Sequence, residues 1–246
     1  GILEVNAEEK WVRVQPGVVR DDLNKYLEKY GLYFGPETST ANRAMIGGMV
    51  GNNSCGSNSI VYGSAREHLL SVKALLSDGS EAEFKALDQD AFEKKCQSDN
   101  ELERAIYSEI NNILSDEKNR KSIAVGFPKK DIPRRNTGYA LDLLMDAQPF
   151  NGTQKPFNFC KLLAGSEGTL VMMTEIKLNL VPLPPKEKLL VCIHCKTVNE
   201  SLEANLVALR FNPLACELMD QYILECTKSN ITYRQNRFFI EGDPGA

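Results

Sequence analysis

Several things are scarce in this chain, and each shortage narrows what it can do. Basic residues do not dominate: 29 Lys and Arg face 33 Asp and Glu, for a net charge of −4 and a pI near 5.4. That balance gives no support for nucleic-acid binding. No apolar run approaches the ~18 residues needed to span a bilayer, the longest near the end being Leu189 to Ile193. No basic-then-apolar leader pattern opens the chain. Seven cysteines, an odd number scattered along the sequence, read as reduced thiols of a cytosolic protein. None forms the closely spaced run that an iron–sulfur centre needs. Cys192 and Cys195 have CxxC spacing around His194, but they sit in the strand-like LLVCIHC, where residues three apart point to opposite faces. Packing is the expected role there, and no metal site is expected. Repeats and low-complexity tracts are also missing.

What remains is ordinary globular material. An apolar fraction of 42% and a charged fraction of 25% over 246 residues predict a real core in one large domain or two small ones. Short strands are expected at Ile2–Val5 and Trp11–Val14. A helix from about Asp22 to Tyr30 should follow, since Leu23, Tyr26, Leu27 and Tyr30 recur at helical spacing, with Asp21 as N-cap and Gly31 at the C-terminal turn. Asp78-Gly79 between Leu69–Leu76 and Glu81–Phe84 is a hairpin signal. Residues 88–156 read as an insertion, helical at first with Leu102, Ile106, Ile110 and Ile113 on one face. The insertion then turns basic at Lys129, Lys130, Arg134 and Arg135. A strand is expected from Thr169 to Val181, ended by Pro182, Pro184 and Pro185, whose clustering marks a boundary. Beyond it come a strand at 188–196, a helix at 198–210 and a strand-to-helix unit at 214–229.

The densest signal is the 29-residue stretch GPETSTANRAMIGGMVGNNSCGSNSIVYG, Gly35 to Gly63. It holds six of the 17 glycines and a single basic residue, Arg43. Glycine lets a backbone approach a ligand closely, and without Lys or Arg such a loop can hold phosphates only through main-chain amides and small hydroxyls. The plain alternative is a Gly-rich surface loop.

With VRVQPGVVRDDLNKYLEKYGL at 12–32, LLSVKALLSDGSEAEF at 69–84 and LLAGSEGTLVMMTEIKLNLVPLPP at 162–185, this stretch resembles the vanillyl-alcohol-oxidase (PCMH-type) FAD-linked oxidases and dehydrogenases. The likeness is to their D-2-hydroxyacid branch, and NNSCG is similar to members that fuse the flavin unit to an iron–sulfur part. The resemblance implies an α+β fold. Residues 1–184 would be the second subdomain of an FAD-binding domain, an antiparallel or mixed sheet flanked by helices. Residues 185–246 would begin an α+β cap domain. It implies FAD as cofactor, contacted by Pro36, Glu37, Thr38 and Ser39, by amides of Ile46, Gly47 and Gly48, by Asn53, Ser54, Cys55 and Gly56, by Tyr62 and Gly63, and by Gly165, Ser166, Glu167 and Gly168. Glu37, Cys55 and Val171 depart from the family's commoner Asp, Gly and Gly.

Arg134, Arg135 and Thr137 are expected near a substrate carboxylate, which a planar guanidinium binds bidentately. The plain alternative is a solvated basic face. A small 2-hydroxyacid (D-lactate, glycolate or D-2-hydroxyglutarate) is the implied substrate, and an iron–sulfur part or a quinone the onward electron acceptor. The expected location is the cytoplasm or the inner face of a membrane. The family's catalytic histidines have no counterpart in His68 or His194, and its phosphate loop should precede residue 1, so the catalytic base stays unassigned and the chain is expected to be an excerpt that grips FAD weakly. Two other readings stay open: a non-catalytic scaffold without cofactor, or a sugar-lactone or alcohol oxidase.

Overall fold

The computed structural model describes every residue except Pro133 and Thr137. It divides into two compact units, Gly1–Leu183 and Pro184–Ala246.

The first unit is built on a five-stranded antiparallel sheet whose strands lie side by side in the order Ile2–Asn6, Trp11–Val14, Met172–Asn179, Leu69–Leu75 and Glu81–Phe84. Strands β1 (Ile2–Asn6) and β2 (Trp11–Val14) form a hairpin. Helix α1 (Arg20–Leu27) and the short β3 (Leu32–Tyr33) follow. The Gly-rich block folds as α2 (Ile46–Gly51), α3 (Ser59–Tyr62) and α4 (Ala65–His68). Then β4 (Leu69–Leu75) and β5 (Glu81–Phe84) make the Asp78-Gly79 hairpin, with Gly79 at φ +85°. The insertion supplies α5 (Gln89–Lys95), α6 (Glu101–Ser115), α7 (Glu117–Gly126) and α8 (Leu141–Met145). Helix α9 (Cys160–Leu163), β6 (Met172–Asn179) and β7 (Val181–Pro182) close the unit.

Alternation explains the sheet. Val12 and Val14, Val72 and Ala74, Ala82 and Phe84, and Ile176 and Leu178 point to the buried side. The opposite face carries ion pairs, Arg13 to Glu4 at 2.8 Å and Lys73 to Glu175 at 3.2 Å, and the Lys177 ammonium 3.7 Å from the Trp11 ring. The covering layer includes α1, whose buried Asn24 exchanges two hydrogen bonds with the Phe34 backbone at 2.8 and 3.3 Å. Helix α1 starts two residues before the expected Asp22 and lacks a side-chain cap. Val19 bridges to Met45 and the Arg20 amide donates to Ala44 O at 2.9 Å, so backbone pairing sets the start in place of Asp21. Gly31 does take the left-handed conformation expected of it.

In the insertion, α6 buries Tyr107, Ile110, Leu114 and Glu103, while Leu102, Ile106 and Ile113 stay partly buried. The stripe thus sits about one residue round from the aliphatic one. Tyr107 pulls the buried face toward an aromatic cluster with Phe92, Phe150, Phe157 and Phe159, and Phe92 and Phe157 lie 4.7 Å apart. Lys95 pairs with Glu103 at 2.5 Å.

The second unit contains α10 (Val198–Ala208) and α11 (Gln221–Lys228). The strand expected at 188–196 is not formed, nor is one from 214. Leu189 and Leu190 are 89% and 84% exposed. Strand propensity needs a neighbouring ladder to become a strand, and among the described residues only Cys195 finds backbone partners, at Gly245 and Ala246.

Candidate functional site

The two glycine bends singled out in the sequence meet. Helix α2 opens at Ile46, where amides would otherwise be orphaned. Ile46 N–H donates to Val18 O at 2.8 Å and Gly47 N–H to Pro16 O at 2.9 Å. A Cβ on Gly47 would stand 2.6 Å from Pro16 Cβ. These two amides serve the chain itself, which departs from the expectation that all three point at a cofactor. The Gly48 amide has no acceptor among the described residues, and nothing lies within 4 Å of where its Cβ would be. At the other end of α2, Val50 O and Gly51 O accept from Gly165 and Glu167 amides, both at 3.0 Å. The second bend is a run of left-handed residues: Gly165 at φ +91°, Glu167 at +53° and Gly168 at +74°. Inside it Ser166 is 2% exposed and its hydroxyl has no hydrogen-bond partner.

The rest of the block is stacked alongside. A Cβ on Gly56 would fall 2.9 Å from Glu37 O, and one on Gly35 2.8 Å from Tyr62 Cβ. Pro36–Ser39, Asn53–Gly56 and Tyr62–Gly63 therefore run as neighbours. Arg20, almost fully buried, fixes the first of these: its Nε donates to Pro36 O at 3.2 Å, and its guanidinium also bonds the Tyr33 hydroxyl. Asn53 sits at φ +53°, a conformation asparagine tolerates. Its Oδ1 accepts from Ser64 Oγ and from Arg66 N–H, both at 2.8 Å, and its Nδ2 donates to Asn136 Oδ1 at 3.1 Å. The amides of Cys55, Gly56, Ser57 and Asn58 have no acceptor among the described residues. Ser64 and Glu67 form a capping box, with Ser64 N–H to Glu67 Oε2 at 2.6 Å. Ser54 is buried and bonded by Asn52 at 3.2 Å.

His68 is buried, its ring nitrogens 2.7 Å from Tyr62 O and 3.1 Å from Asn179 O, edge-on to Phe34. It ties the block to the sheet. Burial, and then the nearby Tyr33, push the Tyr62 phenol above its ordinary range.

The two arginines of the basic segment part company. Arg135 Nη1 donates to buried Asp142 at 2.5 Å and to Pro128 O at 3.3 Å. Arg134 is exposed and spends one donor on Ser59 Oγ at 3.2 Å. It helps line a small recess with Asn53, Cys55, Glu67 and Asn136. Thr137 lies outside the described residues. Reading the sequence did not single out Arg20, Ser64 or Arg66. The Ser64-x-x-Glu67 spacing was the available signal for the second of these, and the two arginines carried none.

A dinucleotide fits what is present. Amides without acceptors at Gly48, Gly168 and Cys55–Asn58, a buried hydroxyl without a partner at Ser166, and open space over Gly48 and Gly168 lie on hydrogen-bonded neighbouring bends. They can hold anionic oxygens without a lysine or arginine. No group of three or more His, Cys, Asp or Glu poised for a metal occurs among the described residues, and no described helix is long and apolar enough to cross a membrane.

Residues 1–85 match the family model described as FAD binding domain. A solved alkyldihydroxyacetonephosphate synthase shares the fold, with a TM-score of 0.52 at 16% identity over 92% of this chain and 30% of that one. Over nearly its whole length the chain is similar to D-2-hydroxyglutarate dehydrogenases. It is 34% identical over 243 residues to that of Pseudomonas putida, covering 99% of this chain and 23% of the relative. It is 34% identical over 232 residues to that of Escherichia coli, covering 94% of this chain and 22% of the relative. The chain thus spans about a quarter of the length of the curated relatives it matches.

Proposed function

We propose that this chain supplies one wall of the flavin site in a dehydrogenase that oxidises a D-2-hydroxyacid of the D-2-hydroxyglutarate type. The observation that carries the reading is the joining of the two bends, through Gly165 and Glu167 amides on the Val50 and Gly51 carbonyls. Bound FAD supplies the hydride acceptor that such an oxidation needs. In this reading the Gly48 and Gly168 amides and the Ser166 hydroxyl hold the cofactor, and Pro36–Ser39 lie against it. Arg134 binds the substrate carboxylate. Its guanidinium has donors to spare, whereas Arg135 is held by Asp142 and supports the segment from below. An iron–sulfur part or a quinone takes the electrons onward.

The test is anaerobic mixing of the full-length flavoprotein with D-2-hydroxyglutarate, D-lactate and glycolate, following the flavin absorbance. Bleaching by a D-2-hydroxyacid is expected. Bleaching only by a sugar lactone or neutral alcohol would move the protein to the oxidases of those substrates, and failure to take up FAD would favour a scaffold. In the same protein Arg134→Ala should raise KM about 10- to 100-fold with kcat little changed, because a charge-assisted pair contributes about 1.5–3 kcal/mol. An unchanged KM removes Arg134 from the substrate.

A further inference from the structure

We infer that Arg66 is a positioning residue that locks the Arg134-bearing segment to the Gly165 bend, so that clamp and cofactor wall keep one spacing. The inference rests on the reading of Arg134 given above.

Arg66 is 2% exposed and lies on α4, a four-residue helix that nothing in the proposed chemistry uses. Three separate segments converge on it, around Asn53, Gly138 and Lys161–Ala164. Its Nη2 donates to Gly138 O at 2.7 Å and to Ala164 O at 2.6 Å. Its own amide donates to Asn53 Oδ1 at 2.8 Å, and its carbonyl accepts from Lys161 Nζ at 2.9 Å. One guanidinium nitrogen therefore bridges the carbonyl four residues after Arg134 and the carbonyl immediately before Gly165. The backbone on both sides is shaped to admit it. Gly138 is at φ +72° and Gly165 at φ +91°, and a Cβ on Gly165 would lie 2.7 Å from Arg66 Nη2 and 3.2 Å from Gly138 O. Arginine suits the place because one Nη2 amino group carries two N–H donors, one for each carbonyl. Its Nε has no partner among the described residues, so the side chain is held by the two segments it joins. Tyr139 Oη to Thr169 Oγ1 at 2.5 Å links the same pair of segments from outside the guanidinium, and Asn53 Nδ2 to Asn136 Oδ1 at 3.1 Å ties the Arg134 segment to the first bend.

A merely stabilising arginine would lower the melting temperature and leave substrate affinity alone. A positioning arginine changes KM through Arg134. The experiment uses the full-length flavoprotein with Arg66→Lys and Arg66→Gln, alone and combined with Arg134→Ala. Hydrogen exchange is read at the Leu141, Leu143 and Gly165 amides, which are bonded to Tyr139 O, Ala140 O and Val50 O, against the β2 amides. In the Gln variant, exchange at these three is expected to rise about tenfold or more with β2 unchanged. KM for the hydroxyacid should rise about tenfold, as one charged hydrogen bond implies, with kcat within about twofold. The Lys variant should recover part of both. Arg66→Gln should add little to the KM of Arg134→Ala, since both act on one contact. Unchanged exchange at Leu141, Leu143 and Gly165, or KM effects that multiply independently, overturns the inference. If Arg134→Ala itself leaves KM unchanged, the clamp reading fails, and the exchange measurement alone decides whether Arg66 holds the segment. Should the Gln variant not fold, the Lys variant carries both readouts.

Discussion

Three glycines in the two bends have different reasons for being glycine, and substitution by alanine separates them. At Gly165, alanine meets a left-handed backbone, about 1–2 kcal/mol, and a 2.7 Å contact with Arg66 Nη2, about 1–3 kcal/mol more. At Gly168, φ is +74° but nothing lies within 4 Å, so only the backbone term applies. Gly48 sits inside α2 with open space above it, and alanine there should stabilise the fold by up to about 1 kcal/mol. Urea denaturation should therefore rank Gly165→Ala below Gly168→Ala, and both below Gly48→Ala. Flavin retention on gel filtration should fall in Gly48→Ala despite its added stability. If Gly48→Ala keeps its flavin, the space over that residue is not the cofactor's. Cys160 shows a residue effect of another kind. Its Sγ is buried 3.3 Å from Phe84 O, and desolvation pushes the thiol up to about 12 from an ordinary value near 9. The folded form thus holds its proton where the unfolded form loses it. Stability from this group is complete below pH 9 and falls at up to about 1.4 kcal/mol per pH unit as pH climbs toward 12. Urea midpoints at pH 8 and pH 10.5 should drop more in the wild type than in Cys160→Ala. An equal drop would mean the thiol titrates normally.

At the scale of elements, the insertion is fastened by aromatics. Leu87 and Phe157 exchange two backbone hydrogen bonds of 2.8 Å, and Phe92 packs on Tyr107, Phe150 and Phe157. Phe92→Ala should cost about 3–5 kcal/mol in the urea unfolding of the first unit, and a loss below about 1 kcal/mol would show that α5 packs only loosely. Local signals made much of this level readable in the sequence. Alternating valines at 12 and 14, the Asp78-Gly79 turn and the Ile46-Gly47-Gly48 helix start each sit where their own chemistry puts them. What stayed hidden depends on partners far along the chain. Helix α1 begins early because Val19 meets Met45, the α6 face turns because Tyr107 meets Phe157 and Phe159, and the 189–193 run finds no ladder among the described residues. The candidate site divides the same way. The glycine bends announce themselves by composition, whereas the buried arginines that fix the segments beside them, Arg20 at Pro36 and Arg66 at Gly138 and Ala164, look like any other basic residue until the fold buries them.

At the scale of the whole chain, the two units invite a comparison of exposed segments. Residues 187–195 have no helix or strand assignment, and Leu189 and Leu190 stand almost fully in solvent. The basic segment around Arg134 is exposed too, but it is restrained: Lys130 pairs with Asp146 at 2.7 Å, Arg135 with Asp142 at 2.5 Å, and Gly138 O is held by Arg66. A protease needs several residues of backbone it can extend through its cleft, so tethering protects a segment more than mere coverage does. Brief trypsin treatment should therefore cut first after Lys186 or Lys188 and leave a first unit that melts as it did before cleavage. Cuts after Lys129, Lys130, Arg134 or Arg135 should follow later, and earlier in Arg66→Gln than in the wild type. If those four sites are cut first in the wild type, the tethers do not hold the Arg134 segment, and a fixed spacing between Arg134 and the glycine bends has no physical basis.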